Sequence, residues 1–369
     1  MKLNRTAVWI AVVTLLQVGE QQSIALMLPR LGAQWPESDA RLLLLAYALG
    51  AALLPLWLFQ TFPRLNASAA SMGALIGIAL ANGAFAMLPP FGVALGARAL
   101  TGAASGVLSA SLLDVAIRTG RGAVLAQAGA FVAGIALLVP FDAWLGALID
   151  IDGVASVYSG LALFVFIPGS HCLPFAEEVH VSPSAEEAAA QANPRERRLL
   201  LAALLSAAAL AAPAAFAPAM LQSSEGANLD LGEAGMLLSF AALGPMLVML
   251  LQRQIFRGRS FAMLARGATW LLLPALLLLA GALRDPITAA LILPVILAIE
   301  TVRRTGLAGL MASAVPSGER RAFLALRGLV LQLGTAVGLA AALPWSSFAA
   351  VCVLSAGFAA SAAFILPRR

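Results

Sequence analysis

Long apolar runs recur along the chain at nearly regular intervals, broken by short polar turns, and each run is about the length a helix needs to cross a bilayer. The pattern predicts helices over residues 6–28, 42–60, 71–88, 93–115, 122–148 and 154–175. It then breaks. Residues 176–198 (AEEVHVSPSAEEAAAQANPRERR) are charged, alanine-rich and interrupted by proline, and read as a linker. Six more runs follow, over 199–221, 234–251, 261–283, 286–314, 322–343 and 346–366. The expected organisation is an all-α membrane protein of twelve transmembrane helices, with an N-terminal bundle (1–175), a linker (176–198) and a C-terminal bundle (199–369).

Composition agrees with this reading. The 369 residues are 61% hydrophobic and only 11% charged, whereas soluble domains average roughly 45–50% apolar and about 25% charged residues. The formal net charge of +5 does not imply nucleic acid, because the arginines concentrate in alternate loops. With the N-terminus inside, Arg64, Arg118, Arg121, Arg253, Arg257, Arg259, Arg320 and Arg321 fall on the inner face. Outer loops hold Arg30, Arg41 and Arg284 beside a majority of acids. Both termini are therefore expected on the cytoplasmic side. The N-terminal run is too long for a signal-peptide core of roughly 7–15 residues and reads as a retained first span.

Chemistry enters through charges in the middle of apolar runs. Glu20 stands in the first run with Gln17 and Gln21 beside it, Arg98 in the fourth, and Glu300 with Arg303 and Arg304 in the tenth. A charge at the bilayer centre costs at least ~2.5–3.5 kcal/mol on insertion scales, so these groups are expected to face a bundle interior or a wet cavity. Glu300 is three and four residues from its arginines, the spacing at which side chains meet on a helix. Arg98, Gly102 and Gly106 fall at i, i+4 and i+8, so one face carries a guanidinium followed by two sites of close backbone approach. Pro213 and Pro218 in the seventh run free carbonyls and permit bending. Cys172 and Cys352 form no metal or redox motif, and no Walker loop, HExxH or nucleophile elbow is present. The sequence thus predicts neither an enzyme nor a cofactor.

The segment from Val93 to Pro140 resembles helices four and five of the major facilitator superfamily of transporters. The resemblance rests on the Arg98-x-x-x-Gly102 pattern, on Asp114 ahead of the basic turn with Arg118 and Arg121, and on a glycine-rich following helix with Gly129, Gly134 and Pro140. A second copy of the pattern reads RRTGLAGLMASAVPSGERR, Arg303 to Arg321, pairing the tenth helix with the fourth. The loop after the second helix, PLWLFQTFPRLN, lacks the acidic residue of the family signature and keeps Arg64 as a partner for Asp114.

The resemblance implies two pseudo-symmetric six-helix bundles with helices one, four, seven and ten around a central cavity. It further implies a bacterial inner-membrane secondary transporter of a small organic or amphiphilic solute, resembling compact efflux members, driven by protons and monomeric. In that reading Glu20 and Glu300 couple protons, and Gln17, Gln21, Arg98, Arg303 and Arg304 contact substrate. Arg64, Asp114, Gly102, Gly106, Pro140, Pro213 and Pro218 gate or shape the bundles. An organic-anion importer or facilitator, and a transporter-like scaffold that moves nothing, stand as alternatives.

Overall fold

The computed structural model describes residues 4–36, 39–61, 66–173, 193–314 and 320–367. Fourteen helices carry these residues and, among them, no strand occurs: α1 (Arg5–Leu26), α2 (Leu28–Gln34), α3 (Arg41–Thr61), α4 (Ala67–Ala86), α5 (Phe91–Thr119), α6 (Arg121–Cys172), α7 (Pro194–Gln222), α8 (Leu231–Ala241), α9 (Leu243–Leu250), α10 (Gln252–Phe256), α11 (Phe261–Ala282), α12 (Pro286–Ala314), α13 (Arg320–Ala342) and α14 (Phe348–Ile365). Nine segments among the described residues are long and apolar enough to cross a membrane, and the bent pair α1–α2 makes a tenth. One of the nine is α6, whose 52 residues would extend about 78 Å at 1.5 Å per residue, more than twice a hydrocarbon core of about 30 Å. It breaks at Asp150, the one residue inside it with non-helical dihedrals (φ 58°, ψ −172°). The break falls between the expected fifth and sixth spans.

The protein is therefore a multi-pass helical membrane protein, and several boundaries differ from the sequence expectation for local reasons. The first span ends at Met27, and α2 leaves it at 58° with Pro29 in its first turn. The eighth span is interrupted at Ala242. Pro245 has no N–H to return to the Ala241 carbonyl, so the helix loosens there. The seventh helix begins at Pro194 rather than 199, because Asn193 and Glu196 form a reciprocal capping box. The arginines 195, 197 and 198, expected in the linker, thus belong to its first turns. The rest of the predicted linker, 176–192, lies outside the described residues.

Two compact units result, Met1–Val181 with Leu231–Met236, and Ser182–Asp230 with Leu237–Arg369. In the first unit, α1 packs on α6, and α5 packs between α3 and α4. In the second, α7 packs on α13 and α14, and α11 packs on α12. A core cluster there joins Leu199, Ala203, Ala265, Leu307, Met311 and Phe323. Small residues set these separations. A Cβ on Gly102 would overlap the Tyr47 carbonyl, and one on Gly106 the Ala51 carbonyl, so α3 and α5 touch backbone to backbone. Gly334 and Gly338 meet the carbonyls of Leu204 and Ala208 in the same way, joining α13 to α7.

One such contact appears twice. Gly50 on α3 faces the Ala99 carbonyl and Ala103 nitrogen of α5, and Gly244 on α9 faces the Pro294 carbonyl and Ala298 nitrogen of α12. Both partner pairs differ by the same offset, since 294 − 99 = 195 and 298 − 103 = 195. This is the internal repeat expected between the fourth and tenth helices, now with a register fixed by backbone contact.

Outside the spans, Asp39 accepts hydrogen bonds from the Arg41 backbone N–H at 3.0 Å and from its guanidinium at 2.7–3.0 Å. Partial burial works against the Asp39 charge, but those hydrogen bonds and the arginine's charge outweigh it and hold the carboxyl below its usual range. The pair tethers the start of α3.

Candidate functional site

In the first unit, the close approach of α3 to α5 puts the Tyr47 ring against Arg98. The guanidinium carbon lies 5.0 Å from the Tyr47 ring centre and 5.7 Å from that of Phe85 on α4, within range of a cation–π attraction. Glu20 arrives from α1 on its buried face. Arg98 Nη1 donates to Glu20 Oε1 at 2.5 Å and lies 3.5 Å from Asn82 Oδ1. Both charged residues are almost wholly buried, at 1% and 3% exposure. The pair is therefore electrically neutral but incompletely satisfied: Glu20 Oε2, Arg98 Nε and Asn82 Nδ2 have no protein hydrogen-bond partner.

One turn away on α1, Gln17 Nε2 donates to Ser105 Oγ at 2.7 Å, to the Ser105 carbonyl at 2.8 Å and to Ser109 Oγ at 2.5 Å. The Tyr47 hydroxyl donates to the same Ser105 Oγ at 2.7 Å. Gln17, Glu20 and Arg98 thus belong to one buried polar seam between α1, α3, α4 and α5. Gln21, expected to contact substrate, is exposed, because one residue along a helix turns a side chain about 100° away from Glu20.

The seam continues into α6 through residues that the sequence reading did not assign to a site. Asp142 is fully buried, accepts from the Tyr158 hydroxyl at 2.7 Å, and has Oδ2 without a protein partner. Tyr158 reaches α1 because position 19 is glycine, where a Cβ would overlap the phenol oxygen. A signal for these residues was available. The chain has only two tyrosines, and both stand inside apolar runs, as does Asn82.

The second unit holds a separate cluster on α12. Glu300 Oε2 accepts from Arg303 Nε at 2.6 Å and from its Nη2, and Glu300 Oε1 accepts from Arg304 Nε at 2.5 Å. Arg303 is 2% exposed and Glu300 5%, whereas the Arg304 side chain is more than half exposed. Arg327 on α13 is half-buried, and its Nε is buried without a protein hydrogen-bond partner.

The repeat register places these clusters on equivalent helices but not at equivalent positions. Adding the offset of 195, Arg98 corresponds to Leu293, while Glu300, Arg303 and Arg304 correspond to Ser105, Leu108 and Ser109. Arg303 therefore lies ten residues, about 15 Å, beyond the counterpart of Arg98. The expected match of Arg98 with Arg303 is thus replaced by a match of Glu300 and Arg304 with the two serines that bind Gln17.

Of the shaping residues, Gly102 and Gly106 form the α3 contact described above. Asp114 pairs with Arg118 Nη2 at 3.0 Å. Arg64 lies outside the described residues. Pro140 is inside α6, and Pro213 and Pro218 are buried inside α7, which runs through both. Among the described residues, no group of three or more His, Cys, Asp or Glu side chains could hold a metal ion.

No family model matches the sequence, and no curated protein sequence matches it. Solved structures do match. A bacterial homologue of the human lysosomal transporter Spinster superposes with a TM-score of 0.74 at 14% identity, covering 99% of this chain and 96% of that one. The nucleoside transporter NupG gives 0.74 at 14%, covering 97% and 98%. The human organic anion transporter MFSD10 gives 0.74 at 16%, covering the whole of both chains. Likeness over full length, the repeated helix contact and the two compact helical units agree: the chain has the fold of the major facilitator superfamily of transporters.

Proposed function

We propose that the chain is a secondary active transporter that moves a small organic or amphiphilic solute by alternating access of its two halves, exporting it as protons enter. The observation that carries this reading is the Glu20–Arg98 pair, buried in an apolar bundle with a free acceptor on the acid and a free donor on the base. Removing such groups from water costs several kcal/mol per ion, which a purely structural role would answer better with apolar side chains. A group that must change partners explains the arrangement. Protonation of Glu20 releases Arg98 for a substrate acceptor, and loss of the proton restores the pair. Gln17 and Arg98 contact the solute in this scheme, and Glu300 with Arg303 and Arg304 forms the matching element of the second half. Transporters of nucleosides, peptides and organic anions have this fold, which supports the reading in general terms. The protein works as a monomer in the bacterial inner membrane.

Counterflow and gradient-driven flux in proteoliposomes test the scheme. Flux of a screened solute should rise at least tenfold under an imposed pH gradient, and Glu20→Gln should abolish that stimulation while leaving exchange. Gradient-independent flux in the unsubstituted protein would discard proton coupling. A second reading, an organic-anion importer or facilitator, is favoured by the excess of arginine over glutamate in the second unit. Equal flux of an anionic solute with and without the gradient selects it. If no solute moves, the transporter-like scaffold remains.

A further inference from the structure

We propose that Asp142 is the proton donor of the first unit: a neutral carboxyl, held by Tyr158, that passes its proton to Glu20 and so frees Arg98 without leaving net charge in the bundle. Asp142 is completely buried. Tyr158, from beyond the break in α6, donates its hydroxyl to Oδ1 at 2.7 Å, and Oδ2 has no protein partner. The nearby cations are engaged elsewhere. α6 packs against α1, α4 and α5, and it also meets α2 through Arg30 and the start of α8 at Gly235. On those elements Arg98 pairs with Glu20, Arg118 with Asp114, and Arg30 with the Gly146 carbonyl at 2.6 Å and Asp150 at 3.3 Å. Arg5 and Glu233 are exposed, and α4 has no titratable residue. The remaining ionisable groups of α6, Arg121, Asp152, His171 and Cys172, stand ten or more positions from Asp142. An ionised carboxylate in this setting has no counter-charge and is strongly disfavoured, whereas a proton on Oδ2 makes the group neutral.

A pin between the two parts of α6 needs only an acceptor for Tyr158, which an amide supplies. What an acid adds is a proton it can give up. The recipient is near. A Cβ on Gly19 would overlap the Tyr158 oxygen, which sets that oxygen within about 4 Å of the Gly19 Cα and, one step of ~3.8 Å along the chain, about 8 Å of the Glu20 Cα. With Glu20 and Arg98 both ionised and Asp142 neutral, the interior carries no net charge. In the hand-over the O–H bond on Asp142 breaks, its electron pair stays on the carboxylate, and a new O–H bond forms on Glu20 Oε2, which has no protein partner. Glu20 is then neutral, and the Asp142 carboxylate balances Arg98, whose N–H groups are open to a solute acceptor. That this proton drives solute rests on the transport reading; that Asp142 holds one does not.

Infrared spectroscopy of the purified full chain in detergent at neutral pH tests the first part. The C=O stretch of a protonated carboxyl should be present, should disappear in Asp142→Asn, and should move to higher frequency in Tyr158→Phe, which loses the hydrogen bond to Oδ1. A spectrum in which Asp142→Asn removes no such band overturns the proposal. Should Asp142→Asn not fold, the band in Tyr158→Phe decides, and an unmoved band overturns it equally. Proteoliposomes test the hand-over. Asp142→Asn keeps an acceptor for Tyr158 and removes the proton, so its unfolding temperature should stay near that of the unsubstituted chain while gradient-driven flux falls at least tenfold. Tyr158→Phe removes the pin and keeps the acid, so it should unfold at a lower temperature yet retain more driven flux than Asp142→Asn. A structural pin gives the reverse order, and that order overturns the proposal, as does driven flux unchanged in Asp142→Asn. If the band behaves as stated but flux in the unsubstituted protein ignores the gradient, the neutral buried acid stands and the proton-coupled reading falls.

Discussion

A buried ion pair is a poor source of stability but an exacting constraint, and Arg98 with Glu20 illustrates both. Removing one member strands the other charge, at a cost of about 3–5 kcal/mol, whereas removing both together is often neutral. Arg98→Ala is therefore expected to lower the unfolding temperature in detergent well below that of the double variant Arg98→Met with Glu20→Gln. Equal losses would mean that Arg98 contributes packing against Tyr47 and Phe85 rather than charge. The charged residues themselves were legible in the sequence, since an ionisable group in an apolar run announces itself. Their partners were not. Asn82 and Tyr47 come from other helices, and Glu20 and Arg98, 78 positions apart, carry no local signature of the contact. Gln21 differs from its neighbour Glu20, which is buried: the helical turn leaves Gln21 exposed.

Among elements, the informative feature is how closely helices approach. Gly102 and Gly96 lie on the same helix, but only Gly102 meets a backbone, while an added Cβ at exposed Gly96 meets nothing within 4 Å. Gly102→Ala should destabilise by about 1–3 kcal/mol as α3 is pushed away. Gly96→Ala should be neutral or stabilise by up to about 1 kcal/mol through helix propensity. Thermal unfolding of the two variants side by side checks this, and similar behaviour would refute the close-contact argument. Helix positions were largely readable because twenty apolar residues leave few alternatives. What the pattern missed were interruptions set by backbone detail: the bend at Met27, the break before Pro245 and the capping box that draws Arg195 to Arg198 into α7. The junction at Asp150 falls in the gap expected between the fifth and sixth runs, but the pattern does not forecast its form, a single residue with φ 58° that joins two helices without a loop.

For the whole molecule, the equal halves and alternating loop charge led to the correct fold although no family model and no curated sequence matches the chain. The order of apolar runs is a property of the entire chain and survives divergence that erases individual motifs. The arginine placement predicts that both termini are cytoplasmic, and this orientation is open to direct measurement. In a background with Cys172 and Cys352 changed to Ala, Gly122→Cys should resist a membrane-impermeant maleimide in intact cells and Arg284→Cys should react. The reverse pattern would invert the topology. The repeat was legible as a pairing of helices but not as a register, because matching Arg98 with Arg303 by residue type overlooks the glycine contact that fixes the true alignment. That contact has a wider consequence. The crossing of Gly50 with α5 recurs for Gly244 with α12, yet a turn and a half further on one copy holds uncharged hydroxyls at 105 and 109 and the other an acid and a base at 300 and 304. A duplicated scaffold of this type keeps its folding requirements and its chemical selectivity at different addresses, so the interior can be rewritten in one half by exchanging a few polar side chains while the joint between helices is left untouched.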